Sequence, residues 1–236
     1  MQRRNAEGRL QNRSRRAGFS LMELLAVLAI AGMLAAVMVP VAGRVRTSAR
    51  RAKVRVQFAQ WTAAFEGFRA EYGFYPQLIQ NRVNGASSAA TGPSIADPDT
   101  RFQEILSGRG TGAGAPPAFR SSEQNLASGA PAAQNRRRIA LYAFAPDELD
   151  AAGRVIDAFG NPDIAVVVDT DGDGVIPAAD LAAVAVGSRD QPAVTTAPAA
   201  ADLPAGGVRA GVVFFSAGAG WDGPAPRPDN LVLSWK

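Results

Sequence analysis

The sequence predicts an α+β fold: one long N-terminal helix, apolar in its first half, with its second half packed on a small antiparallel sheet. Three observations carry this. From Leu24 to Ala42 nineteen consecutive residues are uncharged; as a helix they span roughly 28 Å, close to the ~30 Å hydrocarbon core of a bilayer. Beyond that run, apolar residues recur at three- and four-residue spacing as far as Tyr72, the period of an amphipathic helix. Short apolar runs at Ile164–Val168, Val212–Phe215 and Leu231–Leu233, bounded by Gly, Pro and Asp, then read as strands of a three- or four-stranded sheet.

Residues 1–18 hold six arginines and Glu7, with no apolar core of their own, and read as a cytoplasmic leader removed on maturation. A second basic block follows the apolar run: Arg44, Arg46, Arg50, Arg51, Lys53 and Arg55. These side chains either snorkel to lipid headgroups or form a solvated helix face. With six cations on each side of the run, the charge rule for membrane orientation does not decide. The formal charge of +4 therefore conceals zoning, because residues 56–236 carry 13 basic and 19 acidic groups. A nucleic-acid-binding domain would need the opposite balance, and none is expected as a partner. The chain has no His and no Cys, which removes most zinc and thiol chemistry and any disulfide.

Within the helix, Pro40 removes one backbone hydrogen bond and predicts a kink. Val45, Ala49, Ala52, Val56, Ala59 and Ala63 continue the pattern with the cluster Trp61, Ala64, Phe65 and Phe68, and the aromatics are expected in the core. Gly73 and Pro76 close the helix. Residues 81–137, rich in Ala, Gly, Ser, Asn and Pro, read as a long flexible loop interrupted by one helical turn at 102–106. The glycines at 108, 110, 112 and 114 lack the strand and capped helix of a phosphate loop. Residues 189–206 are a second, Pro/Ala-rich excursion.

Arg15-Arg16-Ala17-Gly18 followed by Phe19-Ser20-Leu21-Met22-Glu23 resembles the processing signal of type IV pilins and type II secretion pseudopilins. The resemblance implies cleavage after Gly18 by a prepilin peptidase, methylation of Phe19, and an assembly role for Glu23. It also implies the type IV pilin fold, with an N-terminus inside the cell and a C-terminal domain in the periplasm. The turn Tyr72-Gly73-Phe74-Tyr75-Pro76, the turn Asp157-Ala158-Phe159-Gly160-Asn161-Pro162 and the ending Asp229-Asn230-Leu231-Val232-Leu233-Ser234-Trp235 are similar to segments of major pseudopilins. On this basis the chain divides into a leader (1–18), a transmembrane half-helix (19–43), an amphipathic half-helix (44–75) and a periplasmic domain (76–236). The absence of cysteine favours pseudopilins over the many pilins closed by a disulfide.

Asp169-Thr170-Asp171-Gly172-Asp173-Gly174-Val175-Ile176 through Asp180 has carboxylates at loop positions 1, 3, 5 and 12, with Gly at 6. Alternate residues of such a loop converge on one hard cation, which makes calcium the expected ion. Asp169, Asp171 and Asp173 would supply carboxylates, Val175 its carbonyl, and Asp180 would close the shell. Ala178–Val186 reads as a short helix leaving the loop. In the resembling family a C-terminal loop holds calcium through residues corresponding to Asp222 and Asp229. Here Trp221 is inserted and prolines stiffen the loop, so metal site and plain turn both stand. Asp147, Glu148 and Asp150 have no nameable acid/base partner, and no enzymatic activity is expected.

The function this predicts is a structural subunit of a type II secretion pseudopilus. Its expected partners are prepilin peptidase, other pseudopilin subunits, the inner-membrane secretion platform and membrane lipid. A minor pilin of a type IV pilus or DNA-uptake fibre is the alternative within the class. A membrane-anchored calcium-dependent binding domain is the alternative outside it.

Overall fold

The computed structural model describes residues 20–78, 83, 101–109, 134–151, 153–187, 195–220 and 230–236; the side chains of 37–42 and of residue 101 fall outside this set. The chain divides into two compact units, Met1–Arg46 and Thr47–Lys236. Helix α1 runs from Leu21 to Tyr72 through both. Gly73 ends it at φ +81°, donating its N–H to the Arg69 carbonyl at 2.8 Å, a left-handed cap that Gly adopts without Cβ strain. Position 40 lies inside this one element.

In the first unit the described apolar side chains lie open; Leu21, Leu24, Leu25, Leu28 and Ile30 are each more than half exposed. Among the described residues no helix is long and apolar enough to cross a membrane. The uncharged run Leu24–Ala42 extends into residues 37–42, whose side chains are not described.

The second unit is built on three antiparallel strands in the order β1-β2-β3: Ile164–Val168, Val212–Ser216 and Val232–Leu233. Pairing of Ile164 with Ser216 and of Phe215 with Leu233 fixes the register, and alternation along each strand separates two faces. Ile164, Val166, Val212, Phe214 and Val232 meet Val54, Phe58, Trp61, Phe65 and Phe68 of α1, and Phe102, Ile105 and Leu106 of helix α2 (Arg101–Ser107). Phe214 is the hub of this layer. Its ring lies 5.8 Å from Phe58, 5.5 Å from Trp61, 5.5 Å from Phe65 and 6.1 Å from Phe102, mostly edge-on, the favoured aromatic geometry.

The opposite face of the sheet is also covered. Ala165, Val167, Val213, Phe215 and Leu233 pack against Ile176, Val186, Val208, Leu231 and Leu181, the last from helix α3 (Ala178–Ala183). Irregular chain thus supplies a third layer that periodicity does not announce. Helix α3 is also shorter than the segment to Val186 that the sequence suggests.

A further outcome corrects the sequence reading. Ala49, Ala52, Val56, Ala59 and Ala63 share the spacing of the aromatic cluster, yet they lie exposed, as does Val45 in the first unit. The apolar residues of α1 that turn inward are Val54, Phe58, Trp61, Ala64, Phe65 and Phe68. Among the described residues the sheet has three strands, the smaller of the two numbers expected, and residues 139–145 pair with none of them. Leu141 and Tyr142 donate their N–H groups to the Leu106 carbonyl at 2.8 and 3.0 Å. The fully buried Asn135 locks this arrangement, its amide donating to the carbonyls of Ile105 (2.7 Å) and Ile139 (2.9 Å). Its Oδ1 accepts from Ile139 N–H (2.9 Å) and Tyr72 O–H (2.6 Å).

Phe214→Ala should destabilise the full chain by about 3–5 kcal/mol, because four rings lose their common neighbour, whereas Val56→Ala should cost under about 0.5 kcal/mol. Urea denaturation in detergent micelles measures both. Comparable losses at the two positions would show that the core does not centre on Phe214.

Candidate functional site

Gly18 and Phe19 lie outside the described residues. The residues that follow form a capping box. Ser20 Oγ accepts the Met22 N–H at 3.3 Å, Glu23 Oε2 accepts the Ser20 N–H at 2.9 Å, and the Ser20 carbonyl accepts from Leu24 N–H at 3.1 Å. The S-x-x-E spacing is legible in the sequence as a helix start; reading Glu23 only as a membrane charge misses it. A carboxylate in the first turn also meets the positive end of the helix dipole. Glu23 is therefore fixed next to the residue that cleavage after Gly18 would make the second of the chain.

The acidic loop leaves the end of β1. Asp169 extends the ladder through its N–H to the Gly211 carbonyl at 2.9 Å and is buried, while Asp171 and Asp173 are exposed. One oxygen from each of the three carboxylates lies within 4.8 Å of the others. Backbone donors hold them there. Asp169 Oδ1 accepts from Gly172 N–H (2.8 Å) and its Oδ2 from Gly174 N–H (2.9 Å). Asp171 Oδ1 accepts from Asp173 N–H (3.3 Å), and Asp173 Oδ1 from Val175 N–H (2.7 Å). Gly172 and Gly174, at φ +79° and +83°, take the left-handed conformations that this winding requires. Asp180 stands apart, exposed in the first turn of α3 with its N–H on the Pro177 carbonyl. It is not one of the three whose oxygens converge.

The loop's charges are unequal. Burial works to raise the Asp169 carboxyl, but the Gly174 and Gly172 N–H groups, Asp171 and the Arg69 guanidinium outweigh it and hold Asp169 below the usual carboxylate range. Asp171 is raised, chiefly by the Asp169 carboxylate beside it. After the backbone N–H groups are accepted, the three carboxylates keep lone pairs on their oxygens, and the set fits a hard cation.

Arg69 belongs to a network that the sequence does not disclose. It donates to Tyr75 Oη at 2.9 Å and sits 4.7 Å above that ring, while Tyr75 O–H donates to Glu66 Oε1 at 2.8 Å. Gly211 makes room for this cluster, since a Cβ there would lie 1.5 Å from Tyr75 Oη. Three carboxylates outside the loop find structural partners. Asp147 pairs with Lys53 and Asp150 with Arg154, and Glu148 accepts from Tyr142 O–H at 2.7 Å. Asp222 and Asp229 lie outside the described residues.

Residues 13–39 match the prokaryotic N-terminal methylation motif. No curated protein and no solved structure matches the chain. The motif implies processing by a prepilin peptidase and assembly with other pilins, and it supports a type IV pilin-like chain.

Asp169→Asn should cost about 1–3 kcal/mol at pH 7 in calcium-free buffer, because an amide has one oxygen to accept with and must set its NH2 donor against either the Gly172 or the Gly174 N–H. A carboxyl depressed by folding stabilises above its unfolded pKa of ~3.9 and loses that contribution as pH falls through the folded value. The stability gap between wild type and variant should therefore narrow from about pH 4 downward and go on narrowing as pH falls through the folded value. Thermal melts across that range check it, and a gap undiminished at pH 3 would remove the electrostatic account.

Proposed function

We propose that this type IV pilin-like chain is a structural subunit of a type II secretion pseudopilus. It is cut after Gly18, methylated on Phe19, anchored in the inner membrane by Leu24–Ala42, and built into a periplasmic fibre by the inner-membrane secretion platform. The carrying observation is the motif match over 13–39 running directly into α1, whose described apolar side chains in the first unit are exposed and need a non-aqueous partner. The span itself is argued from the sequence run and its length. The lack of cysteine supports the pseudopilus over a disulfide-closed pilin.

Glu23 gives this reading a mechanism. Cleavage creates a positive amine on Phe19, one residue from the N–H that Glu23 already holds. In a fibre the same carboxylate can accept a neighbour's Phe19 amine through its second oxygen. A charge that is costly alone in an apolar helix then becomes a pair that sets register. The acidic loop takes calcium through Asp169, Asp171 and Asp173, which offsets their mutual repulsion and orders the chain after β1.

Intact mass of the chain from cell membranes should show loss of residues 1–18 and one added methyl group; a retained leader in a working system would refute the processing step. Glu23→Val should insert normally and fail to assemble. Glu23→Gln keeps an oxygen for the cap but not the charge, so it should also fail, and normal fibres from it would reduce Glu23 to a helix cap. Recovery with pilus subunits instead of the secretion platform would reassign the chain as a minor pilin.

Calcium at about 100 times Kd should stabilise the full chain by roughly 2.7 kcal/mol. Asp171→Ala with Asp173→Ala should abolish that gain, whereas Asp222→Ala should abolish it only if the C-terminal loop is the site. Equal melting temperatures in millimolar calcium and in chelator would leave both loops as acidic turns.

A further inference from the structure

Gln57 lies on the stripe of α1 that carries Val54, Phe58 and Trp61 into the core, and it is 6% exposed. Its Nε2 donates to the Ile156 carbonyl at 3.0 Å. A carbonyl only accepts, so this bond fixes which end of the amide is which. Gln57 Oε1 is thereby left without a partner among the described residues, open to a groove that the residue lines.

Ile156 also donates its N–H to the Glu148 carbonyl at 2.8 Å, which brings Glu148 to the same groove. The Glu148 side chain is buried at 8% exposure. Its Oε1 accepts the Tyr142 O–H at 2.7 Å and its Oε2 the Ala145 N–H at 2.8 Å. Burial, reinforced by the bond to Glu148, pushes the Tyr142 hydroxyl well up, so it stays a neutral donor. Among the described residues no cation pairs with Glu148. Lys53, the ammonium on the groove's rim, pairs with Asp147 instead. A buried carboxylate without a cation is unusual, since buried charges are ordinarily paired. The groove holds about 410 Å³, and its charged lining is two carboxylates, Asp147 and Glu148, against the one ammonium of Lys53. Val56, Ala143 and Ala145, all exposed, give it an apolar wall.

We infer that this groove binds a primary alkylammonium group. The ammonium donates to Glu148 and to Gln57 Oε1, and its methylene stem lies along Val56, Ala143 and Ala145. Each Glu148 oxygen already accepts one bond, so single lone pairs on separate atoms remain. Three rotatable ammonium donors suit them better than a planar guanidinium fork that needs both oxygens at once. One carboxylate and one amide oxygen are too few for calcium, which takes about six to eight oxygens. The end of a lysine side chain in a partner polypeptide and a free alkylamine present the same chemistry. The inference rests neither on the acidic loop nor on the kind of fibre.

The test titrates n-butylamine at pH 7 into the full chain in non-ionic detergent micelles, read by NMR of the Gln57 side-chain amide. A saturable shift is expected. n-Butanol, a stem without charge, and butyltrimethylammonium, a charge without N–H donors, should each bind about tenfold more weakly or worse. Glu148→Gln should lose about tenfold in affinity. Should that variant not fold, Val56→Lys carries the test: this exposed change sets the chain's own ammonium beside Gln57 and should block binding at an unchanged melting temperature. A blocked pentapeptide with one lysine that binds more tightly than butylamine supports the site and makes the source a polypeptide. Equal or weaker binding of that peptide supports it with a free amine as the source. No saturable shift, butanol binding as well as butylamine, or undiminished binding to Val56→Lys would overturn the site.

Discussion

Everything in the second unit depends on burying one stripe of α1. Val54, Phe58, Trp61, Phe65 and Phe68 form an apolar ridge that the helix cannot hide within itself, and the β2 side chain Phe214 is the surface that receives it. Because strand side chains alternate, seating Phe214 against the ridge fixes which residues of all three strands face the helix. The second layer, around Phe215, Ile176 and Val208, follows from that choice. It provides the wall against which the chain between β1 and β2 folds back.

The same seating positions the polar chemistry. Arg69 and Glu66 lie on α1 close to the aromatic ridge, and Tyr75 follows directly after the helix cap, so their cluster is carried to the end of β1 where the acidic loop begins. Arg69 helps hold Asp169 ionised, and Gly211, in the segment leading into β2, is the size that the tyrosine hydroxyl permits. A helix residue, a turn residue and a glycine just before β2 thus support one carboxylate. The loop hangs on the sheet through that carboxylate and the ladder bond from Asp169 to Gly211.

The sequence made some of this legible and hid the rest for identifiable reasons. The span of α1, the helical turn at Arg101–Ser107 and all three strands are local patterns, and the structure holds them where the apolar runs and their Gly, Pro and Asp boundaries stand. The convergence of Asp169, Asp171 and Asp173 is likewise written in their spacing. Periodicity could not say which of two apolar stripes on α1 meets the sheet, because Val56 and Phe58 recur with the same period. Nor could it disclose Asn135, or the union of Arg69 with Tyr75 and Asp169, since those contacts exist only once distant segments meet. The Ser20–Glu23 cap was readable and lay hidden behind the more conspicuous charge.

The aromatic ridge also has a consequence in time. A ribosome makes α1 well before β2, so the side chains of Phe58, Trp61 and Phe65 wait for a residue-214 partner while the chain between them is made. Contacts of such long sequence separation form late, since loop closure must come before they reward it. Until then the nascent chain carries a greasy helical rod with nothing to cover it. Tethering at a bilayer would keep those rods apart from one another while the remaining residues arrive.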